Sequence, residues 1–210
     1  MPSLETCGVF FAAALILGIA PGPDNIFVLT QSALYGARAG LATTLGLITG
    51  LCGHTAAVAL GVAALLRTSP LAFSLLKFAG AAYLLYLAWL SFRAGSSSAS
   101  VRQENFPGYA ALYRRGVIMN ITNPKVTLFF LALLPQFADP SRGPVMLQIV
   151  IFGLIFQLAT AIVFGAASLL GNELTKRSAS PRARIFMHKL AGGVFAVLAL
   201  ALLLPDACSA

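Results

Sequence analysis

The chain has 210 residues, 59% hydrophobic and 10% charged, with a mean hydropathy of +0.88; a soluble domain carries about 45–50% apolar and about 25% charged residues. A chain this apolar cannot cover its surface with polar groups, so lipid is its solvent, and its length holds about six spans with short connections and no separate soluble domain. The formal charge of +8 does not mark a nucleic-acid partner, because the basic residues lie in connections between apolar runs rather than on a polar face.

Six apolar stretches follow in chain order. The first runs from Leu4 to Tyr35 and is interrupted by Pro21-Gly22-Pro23-Asp24. The second is Gly40 to Leu66 and the third Pro70 to Phe92, after which the polar connection of about residues 93–112 is the long loop. The fourth runs from Tyr113 to Phe137 with Asn123-Pro124-Lys125 inside it, the fifth from Pro144 to Leu170, and the sixth from Ile185 to Leu204. The N-terminus lacks the basic region of a secretory signal, so the first stretch is expected to stay as a helix.

The expected fold is an all-α membrane protein, one transmembrane domain over residues 1–210. Ten of the fourteen basic residues fall in the connections 1–2, 3–4 and 5–6. Six spans with both termini outside put these connections in the cytoplasm, as the bias of basic loops requires. A broken helix opens each half, so the expectation is two inverted three-helix repeats with helices 1 and 4 broken, although a re-entrant hairpin would also accommodate the first stretch.

Pro21-Gly22-Pro23-Asp24 is the most informative segment. Read without a break, Leu4 to Tyr35 would make about 48 Å of helix against a hydrocarbon core of roughly 30 Å. Pro21 and Pro23 remove two backbone donors and Gly22 loosens the chain between them, so the helix breaks. Asp24 then begins the second half-helix, where a negative charge is favoured, with Asn25 beside it to hydrogen-bond freed backbone. The bland alternative is a kinked entry to a loop with Asp24 as an interfacial cap.

Asn123-Pro124-Lys125 is the counterpart. Lys125 lies ten residues beyond Arg115, about 15 Å along a helix and near half the membrane core. A lysine there must be paired or face water. Pro124 frees a carbonyl near Asn120, which Asn120 and Asn123 can compensate. The structural alternative is an Asp24–Lys125 ion pair that locks the bundle.

Lys77 shares a face with Gly80, Ala81, Leu84 and Ala88, away from Tyr83, Tyr86 and Trp89, and either lines a cavity or snorkels to the outer interface. Gly46, Gly50, Ala57 and Gly61 make a small-residue face with His54 at its margin. Such a face serves close helix contact within one chain or between two, which leaves a homodimer open. His54 reads as a hydrogen-bonded core residue before it reads as a proton carrier, Gln148 and Gln157 are similarly ambiguous between core and site, and His188 reads as interfacial. Cys7, Cys52 and Cys208 suit neither a disulfide framework nor a metal site. No phosphate loop, metalloprotease motif or nucleophile elbow is present, so neither an enzyme, a metal nor a cofactor is expected.

At these residues the chain resembles the LysE/RhtB family of amino-acid exporters. The resemblance rests on Pro21-Gly22-Pro23-Asp24, Gly36-Ala37-Arg38-Ala39-Gly40, Lys77-Phe78-Ala79-Gly80-Ala81-Ala82-Tyr83-Leu84 and Asn120-Ile121-Thr122-Asn123-Pro124-Lys125, followed by Phe129-Phe130 and Pro135-Gln136-Phe137. Ala88 departs from the glycine expected there, a small-for-small change. The resemblance implies a bacterial inner-membrane permease exporting amino acids, with homoserine, threonine, leucine or basic amino acids among the family's substrates.

An amino acid needs both signs of charge in its site. Asp24 is expected to hold the ammonium, while Lys125 and a half-helix N-terminus hold the carboxylate, with Asn25, Asn120, Asn123 and Lys77 as further binding residues. Competition of proton and substrate for Asp24 would give antiport. The rival readings are an exporter of ions or metal ions and a non-transporting scaffold.

Overall fold

The computed structural model describes residues 1–20, 22–68, 70–93, 105–171 and 181–203. Among them all regular structure is helical. The apolar stretches reappear as α1 (Leu4–Ile19) with α2 (Pro23–Tyr35), α3 (Ala37–Thr68), α4 (Pro70–Arg93), α5 (Tyr109–Ile121) with α6 (Pro124–Ala132), α7 (Val145–Leu169) and α8 (Pro181–Leu203). Short 3-10 turns at Leu134–Phe137 and Pro140–Arg142 lead from α6 to α7. Pro21 and residues 94–104 of the long connection lie outside the described residues.

The chain is an all-α membrane protein. Among the described residues, helices α3 and α7 are each long and apolar enough to cross a bilayer, and up to four such spans result if each bent pair is counted as one. The bends are 61° between α1 and α2 and 50° between α5 and the segment that begins at Pro124. Their cause is local: a residue that precedes proline is pushed out of the helical region by the proline ring. Ala20 (ψ 125°), Gly22 (ψ 174°) and Asn123 (ψ 107°) each precede a proline and each is extended.

Helix α3 is the centre of the bundle, packed along α5 on one side and α7 on the other, while α4 packs along α8 and α1 against α7. The glycine pair read from the sequence explains the closest of these contacts. A Cβ on Gly46 would run into the Tyr113 carbonyl oxygen, and one on Gly116 into the Thr43 carbonyl oxygen, so the α3 and α5 backbones touch. Gly50 makes room for the Asn120 side chain. The C-terminal half of the same face behaves differently: Ala57 and Gly61 are exposed.

This contact carries a direct prediction. Gly46→Val is expected to lower the thermal midpoint of the detergent-purified protein, because forcing added methyls into a filled contact costs about 1–3 kcal/mol. Gly53→Val, where nothing lies within 4 Å of the added Cβ, is expected to leave the midpoint in place. Equal midpoints for the two variants would contradict the packing.

The core is aromatic on one side of the helix breaks. Phe10 meets Phe137 and Phe152 at 5.0 Å between ring centroids, and Phe156 meets Phe129 at 5.3 Å and Phe130 at 5.1 Å. These side chains, from α1, α6, the 3-10 turn and α7, fill the space between the start of α1 and the breaks. Large apolar side chains such as Leu45, Leu60, Phe78, Leu154 and Leu158 are exposed, as a lipid-facing surface requires.

Candidate substrate site at the two helix breaks

Pro23 and Pro124 each take the first position of a half-helix, after the N-caps Gly22 and Asn123. That position suits proline, whose missing N–H has no helical partner to lose. Asp24 and Lys125 therefore occupy the same place, the second residue, in α2 and α6. The two helix starts differ in one respect. The Asn123 side chain caps α6 by accepting from the Lys125 backbone N–H at 3.0 Å, whereas no side chain caps α2.

Asp24 is buried at 6% exposure between two amides from the other half of the chain. Asn123 Nδ2 donates to its Oδ1 at 2.9 Å and Asn120 Nδ2 to its Oδ2 at 3.4 Å. Asn120 is held in turn from α3, where His54 Nε2 lies 3.1 Å from its backbone oxygen. The Asn120 Oδ1 atom is buried and has no partner. Asn25 folds back to close the break, its Nδ2 donating to the Gly18 carbonyl at 2.5 Å.

Lys125 crosses to the end of α1. Its ammonium donates to the carbonyls of Ala20 at 3.2 Å and Leu17 at 3.4 Å, and lies 5.3 Å from the centre of the Phe195 ring on α8. Those carbonyls are the negative end of a helix, a natural seat for a cation. Among the described residues the one ion pair within 4 Å joins Arg142 to Asp139, so Asp24 and Lys125 do not form the locking pair that the sequence allows.

The two charged groups line one cavity. It encloses about 430 Å³ of empty space including its mouth. Asp24, Asn25, Asn120, Asn123 and Lys125 make its polar side, and Leu17, Leu51, Val126, Phe156 and Phe164 its apolar side, with Thr160 among the latter. The aromatic cluster closes the space toward the start of α1. Toward the end of α2, Val28, Leu47 and Phe164 pack together, followed by a polar contact in which Ser32 Oγ donates to the Ser168 carbonyl and Thr44 Oγ1 lies 3.3 Å from Ser168 Oγ.

A buried carboxylate and an ammonium thus sit at the breaks of two bent apolar helices, where ionisable groups are costly and interrupted helices leave backbone groups free. Residues 15–205 match the family model described as LysE type translocator. The chain belongs to this family. It is 31% identical over 186 residues to the homoserine/homoserine lactone efflux protein of Salmonella typhimurium, covering 89% of this chain and 90% of the relative. It is 34% identical, over the same shares, to an uncharacterized membrane protein of Vibrio cholerae. No solved structure gives a significant match.

The family's two sequence breaks thus converge on one cavity. Asp24, Asn25, Asn120, Asn123 and Lys125 all line it, as does Gly22, whose added Cβ would sit 3.4 Å from the Lys125 ammonium. Pro21 and the Lys77 side chain lie outside the described residues, although Gly80, Ala81, Leu84 and Ala88 of the Lys77 face are buried and Tyr86 and Trp89 exposed. The His188 side chain also lies outside them. Gln148 is structural: buried in α7, it donates to the carbonyls of Asp139 and Gly143 and accepts from the Asp139 N–H. Gln157 Nε2 reaches Thr55 Oγ1 at 3.4 Å, away from the cavity lining. Thr160, Phe156, Phe164 and Leu51 carry no sequence signal as site residues, because they sit in unbroken apolar helices whose cavity-facing side only packing decides.

Proposed function

We propose that the chain is a secondary transporter that exports amino acids or their close derivatives across the bacterial inner membrane by proton antiport. The observation that carries this reading is the placement of Asp24 and Lys125 in one cavity, each at the second residue of a half-helix. The substrate ammonium goes to Asp24, and its carboxylate to Lys125 and the uncapped start of α2. A proton replaces the ammonium at Asp24 on the return step. The Salmonella relative, named for homoserine and homoserine lactone efflux, supports the substrate class.

Six spans in two inverted repeats, with both termini on the outer face, frame this mechanism. Exchanging α1 with α5, α2 with α6, α3 with α7 and α4 with α8 maps the α3–α7 and α4–α8 contacts onto themselves and α3–α5 onto α7–α1. It also aligns Pro23-Asp24 with Pro124-Lys125. Alternating access then amounts to rocking one half against the other about a fixed site.

The decisive experiment loads cells expressing the chain with mixed dipeptides and measures every released amino acid at once. One or a few amino acids are expected to leave faster than from cells lacking the chain, with the difference abolished by an uncoupler. Identical release profiles from both cell lines would overturn the reading.

A further inference from the structure

Toward the end of α2 the bundle changes character within one helical turn. Val28, Leu47 and Phe164 pack together as the floor of the cavity, with Val28 and Leu47 fully buried. One turn further from Asp24 each of the three helices becomes polar: Gln31 and Ser32 on α2, Thr43 and Thr44 on α3, Ser168 on α7. All five are buried. Thr43, Thr44 and Ser168 bond back to carbonyls of their own helices, and Ser32 donates to the Ser168 carbonyl. The layer is also tightly closed, since a Cβ on Gly40 would strike Ser168 and one on Gly171 would strike Ser32.

Gln31 is the exception in this layer. It is 7% exposed, and its Oε1 is buried with no hydrogen-bond partner among the described residues. A buried acceptor left bare is costly and calls for a reason. Gln31 lies seven residues after Asp24, on the same face of α2 and about 10 Å further along its axis, with Val28 between them. On the orientation given above, this end of α2 faces the cytoplasm, so a solute bound for Asp24 passes Gln31 first. An ammonium suits a bare acceptor, because it brings three donors and no acceptor of its own. A neutral amide also holds an ammonium less tightly than a carboxylate does, which allows the solute to move on. We propose that Gln31 is a second subsite, on the cytoplasmic side of the floor: its Oε1 accepts from the ammonium of an entering amino acid before Val28, Leu47 and Phe164 part to pass it to Asp24. This rests on the export reading above and adds to it the residue at which the substrate is first held.

The test uses everted vesicles, cytoplasmic face outward, offered an equal mixture of the common amino acids and homoserine under an imposed pH gradient, with uptake of each read by mass. Gln31→Met keeps the length of the side chain and removes the acceptor. The concentration for half-maximal uptake is expected to rise about ten- to hundredfold, the worth of one hydrogen bond to a charged group. The thermal midpoint in detergent is expected not to fall, because no partnered group is lost; a merely structural glutamine would give the reverse pair of results. Gln31→Cys, in a chain with Cys7, Cys52 and Cys208 replaced by serine, is expected to react with an impermeant trimethylammonium thiosulfonate faster in everted than in right-side-out vesicles, and more slowly when the amino-acid mixture is present. Where Gln31→Met does not insert, this labelling decides alone. Half-maximal uptake unmoved in Gln31→Met, or a Gln31→Cys thiol that the cation reaches no faster from the cytoplasmic face than from the other, would overturn the proposal while leaving export intact. A wild type that takes up none of the mixture, together with unchanged release from dipeptide-loaded cells, would instead remove the reading on which it rests.

Discussion

Asp24→Asn is expected to abolish gradient-driven efflux while leaving the protein folded in the membrane. The substitution preserves shape and removes only charge and titration. Its effect on the fold is cushioned by neighbours. Asn123 is pinned, since its Oδ1 caps the Lys125 N–H, but the Asn120 Oδ1 is an unused acceptor. Rotation of the Asn120 amide lets it accept from the amide that the substitution introduces, so the cluster keeps its hydrogen bonds. Nothing replaces the negative charge for a substrate ammonium, and loss of one partner of a buried charge pair costs about 2–5 kcal/mol, roughly 30- to several-thousand-fold in affinity. The measurement is efflux from everted vesicles under an imposed pH gradient, alongside proton movement in the same vesicles. Wild-type rates of both would contradict the role given to Asp24. Loss of proton movement with persisting substrate exchange would separate coupling from binding.

Much of this site is legible from the linear chain because proline acts locally. Pro23 and Pro124 favour extended residues before them and helix starts after them by local sterics alone, and a charge next to such a break in an apolar run marks a candidate site, with a helix cap or an ion pair as its structural alternatives. The six apolar stretches are equally local, and their ends fall within four residues of the hydropathy reading when the 3-10 turn ending at Phe137 is counted with α6. The partners of the charges were not legible. Whether Lys125 pairs with Asp24 or with the α1 carbonyls depends on how far the two half-helices are bent, and no spacing encodes a bend of 50° or 61°. Thr160 is hidden for another reason: α7 is apolar almost all round, so periodicity does not reveal which side faces the cavity. The glycines of α3 show the same limit. Gly46 and Gly50 meet α5, whereas Gly61, on the same nominal face, meets nothing within 4 Å.

Lys125→Ala separates the two duties that its ammonium performs. Its donors to Ala20 and Leu17 hold the end of α1 at the break, and removing them leaves two carbonyls short of a partner. Each such loss costs about 1–3 kcal/mol where water cannot enter, and less where the cavity admits it. A lowered thermal midpoint in detergent is therefore expected, with membrane insertion maintained. Efflux is expected to be lost altogether, because the third donor of the ammonium, with no hydrogen-bond acceptor among the described residues, is the one available to a substrate carboxylate. Lys125→Arg distinguishes the duties. A guanidinium also reaches backbone carbonyls, so the thermal midpoint is expected to recover, while its longer planar fork displaces the charge within the cavity and restores efflux only in part. If Lys125→Ala lowered stability yet exported at the wild-type rate, Lys125 would be a clasp for the broken helix and no part of the substrate site. If Lys125→Arg restored stability and efflux in equal measure, positioning of the charge would matter less than its presence, and the carboxylate would be held mainly at the start of α2.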